Sequence, residues 1–315
     1  MQKEIGGYIE FEHYSGKQLH ESAIKLNCAR NCLAYLFKSC DVQKIYIPYF
    51  LCDSVLKTCK KYGIKLQFYH IDENFMPIIP SGDFSKDWLY VVNYYGQLSN
   101  ETILKIKSKV QNLIIDNVQA FFQPPVSNVH TIYTCRKFFG VSDGAYLYTD
   151  SKLDEVLERD ISYKRMNFLF GRFEKSAYEF YQEYVANNDL FENEPIKQMS
   201  SLTENLMCSF DYSAVAQRRT ENFNYLYESL NSMNKLNLKV PYGAFSYPLL
   251  IENGASMRKK LQQRNIYIPT LWSDVFKLCE STSLEYQYAQ NILPLPVDQR
   301  YGRVEIEYML QQLNK

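Results

Sequence analysis

The chain is 315 residues long and 46% apolar, enough for one large α/β domain with a substantial core and a smaller second domain. Its 35 Lys and Arg balance 35 Asp and Glu, and the basic residues are spread along the chain. That pattern argues against nucleic acid or an anionic membrane surface as the main partner.

Segment 1–7 has no apolar stretch of the signal-peptide kind, and no run approaches 18 apolar residues, so neither export nor membrane spanning is expected. The eight cysteines show no CxxC spacing and the four histidines are scattered. No zinc site is expected, and free thiols in a cytoplasmic protein are.

Along the first half, short β-branched or aromatic runs alternate with amphipathic stretches. Lys44-Ile45-Tyr46-Ile47-Pro48 predicts a strand, residues 53–62 a helix with Val55, Leu56 and Cys59 on one side, and residues 65–69 a second strand. A strand over 88–93, a helix over 100–109 and a strand over 113–116 follow. Continuous apolar strands predict a sheet covered on both faces, and their alternation with helices predicts mostly parallel pairing. After a strand over 145–148 the chain turns helical to about residue 230, with long helices over 175–185 and 212–230. Strands over 247–251 and 266–268, with helices over 255–263 and 302–312, then predict a compact α+β unit. The expected domains are 1–230 and 231–315, with a linker near 231–240.

Three blocks carry residue types suited to a reactive site. Leu113-Ile114-Ile115-Asp116 is an apolar strand ending in a carboxylate, placed where open α/β sheets bind ligands; a helix-capping Asp is the competing explanation. Thr131 to Gly144 sets Lys137 among aromatic and apolar residues ahead of a glycine-containing turn. Buried lysines are rare unless paired or functional, and a surface lysine after a strand is the alternative. Leu26-Asn27-Cys28-Ala29-Arg30-Asn31 opens an apolar helix with small residues, which suits phosphate capture by N–H groups. An amine, a carboxylate for a ring nitrogen and a phosphate-binding helix start are the parts that pyridoxal phosphate chemistry requires.

Together, and in this order, the blocks resemble the DegT/DnrJ/EryC1/StrS aminotransferase family of pyridoxal-phosphate-dependent sugar aminotransferases. The resemblance also draws on Ile47-Pro48-Tyr49-Phe50, Asn93-Tyr94-Tyr95-Gly96-Gln97, Gln119-Ala120, Thr134-Cys135-Arg136-Lys137, Asp143-Gly144 and Leu295-Pro296-Val297-Asp298-Gln299, and spans nearly the whole chain. It implies an α/β, fold-type-I transferase with a mostly parallel seven-stranded sheet between helices and a smaller C-terminal α+β domain. It also implies Lys137 as Schiff-base lysine and general base, Asp116 as partner of the pyridine nitrogen, and Gln119 as a hydrogen-bonding partner of the phenolic oxygen. Phosphate would be held by Thr134 and the backbone of Cys28 and Ala29, with Arg30 as an added cation, and Asn93 would belong to the same site. For stacking on the ring, Tyr49 and Phe50 rank ahead of Cys52, because only they present a π-face. The chain departs from the pattern twice: Ala145 follows Gly144 where relatives carry a glycine pair, and the G-x-N-x-R loop that reaches a partner's active site is not visible. Residues 199–203 stand about where that loop should be.

The resemblance implies transamination of a keto sugar, nucleotide-linked, with glutamate as donor, in amino-sugar and polysaccharide biosynthesis. A dehydratase on the same cofactor is disfavoured because such relatives replace the lysine with histidine. A non-catalytic regulatory protein keeping the fold is the other alternative. A homodimer with active sites near the subunit boundary is expected from the resemblance. It is also expected from Phe168, Phe170, Phe173, Tyr178, Phe180, Tyr181 and Tyr184, more rings than one helix face can bury.

Overall fold

The structure is a computed structural model that describes residues 5–313; the first four residues of the N-terminal segment lie outside the described residues. Seven strands, β1 (Ile24–Leu26), β2 (Lys44–Pro48), β3 (Lys65–Tyr69), β4 (Trp88–Val92), β5 (Asn112–Asp116), β6 (His130–Thr134) and β7 (Ala145–Tyr148), make one sheet. Its order is β1-β7-β6-β5-β4-β2-β3. From β3 to β6 every pair is parallel, and β7 runs antiparallel to both β6 and β1. The seven-stranded, mostly parallel α/β sheet is therefore present. Helices α1 (Ala29–Ser39), α2 (Asp53–Lys61) and α3 (Asn100–Lys107) help cover the sheet, which is why β4 and β5 are buried almost end to end. Since β2, β4, β5 and β6 are parallel, their C-terminal ends open at one edge, where ligands of such sheets bind.

Helices α4 (Asn167–Glu174) and α5 (Tyr181–Asn193) replace the single helix expected over 175–185. Lys175 leaves helical geometry (φ −130°, ψ −106°), and the chain doubles back so closely that a Cβ on Gly171 would collide with the Phe180 ring. Helix α6 (Ser201–Met207) precedes α7 (Tyr212–Leu230), whose bounds match the expectation and whose first turn is capped by Asp211 accepting from the Ala214 N–H.

Strands β8 (Ser246–Leu250) and β9 (Ile292–Pro296) pair antiparallel in a second sheet. Around it lie α8 (Gly254–Gln262), α9 (Val275–Leu278), α10 (Leu284–Asn291) and α11 (Arg303–Leu313). The strand expected over 266–268 is irregular. Asn265 takes a left-handed conformation (φ 61°) and the Ile266 N–H returns to the Leu261 carbonyl at 2.9 Å, so this backbone terminates α8 instead of joining a ladder. One contiguous apolar core extends from Leu26 to Leu313 and takes in both sheets, while a second cluster, including Phe121, Tyr133, Phe138 and Tyr146, lies beneath the Lys137 turn. All eight cysteines are unpaired. Among the described residues, no helix is long and apolar enough to cross a membrane.

Candidate active site

A cavity of about 710 Å³ opens at the C-terminal edge of the parallel strands. Asp116, the last residue of β5, lines it and is almost wholly buried. Its Oδ2 accepts from the Tyr90 hydroxyl at 2.6 Å and its Oδ1 from the Val118 N–H at 2.9 Å. Burial raises the carboxyl's pKa, while the nearby Lys137 ammonium and the Tyr90 and Val118 hydrogen bonds pull it back down. No helix follows Asp116, only turns, so it is not a helix cap.

Lys137 sits on a tight turn directly after β6. Its side chain is exposed to the cavity rather than enclosed in the core, with Nζ 5.5 Å from the centre of the Phe245 ring. The turn is held from several sides. The N–H groups of Phe138 and Phe139 both donate to the Cys135 carbonyl at 2.9 Å. The Phe138 carbonyl accepts from Gln299 Nε2 at 2.7 Å and from Arg219 Nη2 at 3.3 Å. Arg219 is 1% exposed; it also donates to Gln299 Oε1 and the Ala244 carbonyl, and burial lowers its pKa to about 10. Asp143 accepts from the N–H and hydroxyl of Ser200, each at 2.8 Å, and from the Thr203 hydroxyl. The 199–203 segment thus braces the lysine loop of its own chain. Gly144 needs to be glycine: its φ is +110°, and a Cβ would stand 3.0 Å from both Cys135 Sγ and Thr203 Cγ2.

Cys28, Ala29, Arg30 and Thr134 also line the cavity, where α1 begins. Cys28 is the extended N-cap residue and makes no side-chain cap bond. Burial pushes its thiol up to about 11, so it stays neutral at physiological pH and presents no competing anion. First-turn N–H groups with no partner inside the helix suit an anion. Arg30 and Arg136 reach the same region and both bond to Asn188 of α5.

Four expected site residues do not line the cavity. Tyr49 turns toward β3 and stacks on Phe68 with ring centres 4.8 Å apart. Phe50 is buried against Trp272 and Tyr94. Past Pro48 these two side chains diverge, and the residue facing the cavity is Cys52, the N-cap of α2. The preference for Tyr49 and Phe50 over Cys52 is corrected accordingly. Asn93 is consumed by a buried network with Leu98, Asn117 and Gln123, and Gln119 Oε1 accepts from the N–H of Tyr95, a residue at φ 54°. Sequence reasoning missed Tyr90 and Asn188 as site residues. For Tyr90 a signal existed: a tyrosine inside the apolar run Trp88–Val92 needs a partner for its hydroxyl.

No protein-family model matches the sequence, and no curated protein matches it. Solved structures do match. A provisionally named sugar aminotransferase from Streptococcus pneumoniae, in its PMP form, superposes with TM-score 0.64 at 13% identity, over 96% of this chain and 92% of that one. An aminotransferase from Psychrobacter cryohalolentis gives 0.63 at 11%, covering 93% and 86%. A DegT DnrJ EryC1 StrS aminotransferase from Brucella abortus gives 0.59 at 12%, covering 93% and 85%. The chain has a fold-type-I α/β transferase fold. More narrowly, it is the fold seen in these aminotransferases, among them the DegT DnrJ EryC1 StrS aminotransferase from Brucella abortus.

Proposed function

We propose that this protein is a pyridoxal-phosphate-dependent aminotransferase that converts a keto sugar, nucleotide-linked, to an amino sugar with glutamate as donor. We place it in the cytoplasm, in amino-sugar or polysaccharide biosynthesis, with domain 1–230 carrying the reactive groups and domain 231–315 adding Gln299. One observation carries the proposal: Lys137 and the buried carboxyl of Asp116 line one cavity together with Arg136 and the start of α1, including Arg30.

The donor set fits the cofactor. A buried carboxyl with raised proton affinity suits a ring nitrogen, an amine suits an aldehyde, and a cationic helix start suits a phosphate monoester. Leu33, Val55 and Val118 supply apolar wall for a flat ring. The Streptococcus pneumoniae structure has PLP and PMP forms, which supports the same assignment. The lining includes Arg30, Arg136, Lys137, Arg172, Arg219 and Arg300 against Asp116 and Asp298, a surplus of positive charge that favours an anionic, nucleotide-linked sugar and a dicarboxylate donor.

When bound, the cofactor serves as the electron sink that makes a Cα–H bond of the attached amine acidic. Asp116 would hold a proton at the ring nitrogen. Lys137 Nζ would be the amine that holds the cofactor's aldehyde and, as a free base, the group that moves the proton. Arg219 and Gln299 fix the backbone beside that amine, and the rings of Phe138 and Phe245 limit water around it.

The presence of both Lys137 and Asp116 at one cavity favours catalysis over a purely regulatory role, and the lysine favours transamination over dehydration. The experiment is a visible spectrum of the purified protein with pyridoxal phosphate, before and after glutamate. A lysine-linked band that is lost on adding donor, with release of 2-oxoglutarate, is expected. A protein that takes up no cofactor refutes the proposal.

A further inference from the structure

We propose that Asn188 is a ligand for the phosphate of the bound cofactor, donated by α5 of the same chain and oriented by Arg136. The proposal rests on the pyridoxal phosphate assignment above and adds to it where the phosphate end is completed.

The charge around α1 is unbalanced. Arg136 is largely enclosed and lies over the Phe191 ring at 4.9 Å; its charged neighbours are a second cation, Arg30, and, with a smaller effect, the single carboxyl of Asp143, which leaves two cations against one anion. Among the described residues, neither arginine is paired with a carboxylate; their polar partner is Asn188, which accepts from Arg30 Nη1 on its carbonyl at 2.9 Å and from Arg136 on its side-chain oxygen. Enclosing a guanidinium beside another cation is costly unless an anion joins them. The start of the eleven-residue helix α1 adds positive potential from the same side.

The amide of Asn188 is fixed by this arrangement. A guanidinium has donors only, so the atom facing Arg136 must be Oδ1. The Nδ2 group is thereby turned away from Arg136, and it meets no acceptor among the described residues, although Asn188 lines the cavity. Next to it, Asn187 Nδ2 donates to the Ser142 carbonyl at 2.8 Å and Asn187 Oδ1 accepts from Arg165 at 3.2 Å. Those bonds tie α5 to the lysine loop, so Asn188 is held in place before any ligand arrives. First-turn N–H groups, Arg30 and Asn188 Nδ2 then form a donor set for a phosphate monoester, built within a single chain.

The test compares pyridoxal phosphate, pyridoxal and inorganic phosphate on the cofactor-stripped full chain. Asn188→Asp sets a carboxylate beside Arg136, which preserves the local packing while taking the anion's place. We expect at least about tenfold weaker pyridoxal phosphate binding, the scale of one charge-assisted hydrogen bond, with pyridoxal binding unchanged; Asn188→Ala should show the same selectivity with a smaller loss. Unchanged affinity for pyridoxal phosphate, or equal weakening of both aldehydes, overturns the proposal and leaves the cofactor assignment standing. Mixing Asn188→Asp chains with Lys137→Ala chains tests the single-chain origin: recovery of lysine-linked absorbance at wild-type affinity would mean the asparagine comes from a partner. If the wild type forms no lysine link, the cofactor assignment fails on its own. Inorganic phosphate then decides the site, with binding lost in Asn188→Asp supporting it and no wild-type binding overturning it.

Discussion

The Tyr90 hydroxyl donates to Asp116 Oδ2 at 2.6 Å, across neighbouring parallel strands that are both buried. This bond opposes the effect of burial on the carboxyl, which otherwise raises its pKa. Tyr90→Phe therefore moves the pKa further up, and the carboxylate form is lost at a higher pH. The acid limb of the half-reaction profile with glutamate should shift to alkaline pH, with a loss near neutrality on the scale of a hydrogen bond to a charged group, about 1.5–3 kcal/mol. Rapid-mixing rates across pH read the shift; a superimposable profile would make Tyr90 a packing residue only.

Lys137 is the residue to which the cofactor should attach. Borohydride reduction of the loaded protein followed by peptide mapping should label Lys137, and Lys137→Ala should carry no covalent label. Asp116→Asn should retain cofactor but lose most turnover, because a neutral amide does not hold a proton on the ring nitrogen. A label on any other lysine defeats the assignment.

Much of this was legible in the sequence because it depends on local pattern. The apolar runs ending in Pro48, Val92 and Asp116 announce buried parallel strands, and α7 is readable from its Asp211 cap to Leu230. Strand β9 was hidden by Pro294 and Pro296, which a two-stranded sheet tolerates because each strand has an open edge. The break between α4 and α5 depends on Gly171 meeting Phe180, a tertiary contact that helical periodicity does not encode. The site divides in the same way. Lys137 and Asp116 stand at strand ends but are singled out only through the family resemblance, whereas Asn188 lies 158 positions from Arg30 and 52 from Arg136, so only the folded chain brings them together.

Gln299 and Arg219 meet on the Phe138 carbonyl, one residue past Lys137. Gln299→Ala removes the shorter of those bonds and leaves Arg219 Nε without its acceptor. A stability loss of about 1–3 kcal/mol is expected from the unsatisfied buried donor, measurable by urea unfolding. As a positioning effect, proton transfer by Lys137 should slow more than substrate affinity falls. A purely structural role would lower stability with kcat preserved in the folded fraction.

His20 is buried between aromatic rings, its Nε2 at 2.8 Å from the Phe121 carbonyl and its Nδ1 at 3.1 Å from the Tyr148 hydroxyl. Burial lowers its pKa to about 4 from 6.5. The unfolded chain therefore binds a proton below pH 6.5 that the folded chain refuses until about pH 4, so this contribution to stability is complete above 6.5 and declines as pH falls through that window. At about 1.4 kcal/mol per unit, the decline is about 3 kcal/mol. Unfolding curves from pH 7 to 4 should fall more steeply for wild type than for His20→Gln; parallel curves would show that His20 titrates normally.

The α4–α5 hairpin presents Phe173 at 91% exposure and Tyr178 at 86%, with Phe170 and Tyr181 also exposed beside them. Such a surface suits a second copy of the chain, and an obligate interface of this kind buries more than about 2,000 Å². Light scattering at micromolar concentration should give twice the 37.1 kDa chain mass, and the double variant Phe173→Asp, Tyr178→Asp should return it to the monomer. The same hairpin supplies Phe168, Arg172, Tyr181, Tyr184 and Asn188 to the cavity wall, so association would stiffen that wall. Cofactor affinity should accordingly weaken when the wild type is diluted into the monomer range, and in the double variant at any concentration. A monomer mass for the loaded, active wild type excludes the dimer; a dimer whose cofactor affinity is indifferent to the double variant places the interface elsewhere on the chain.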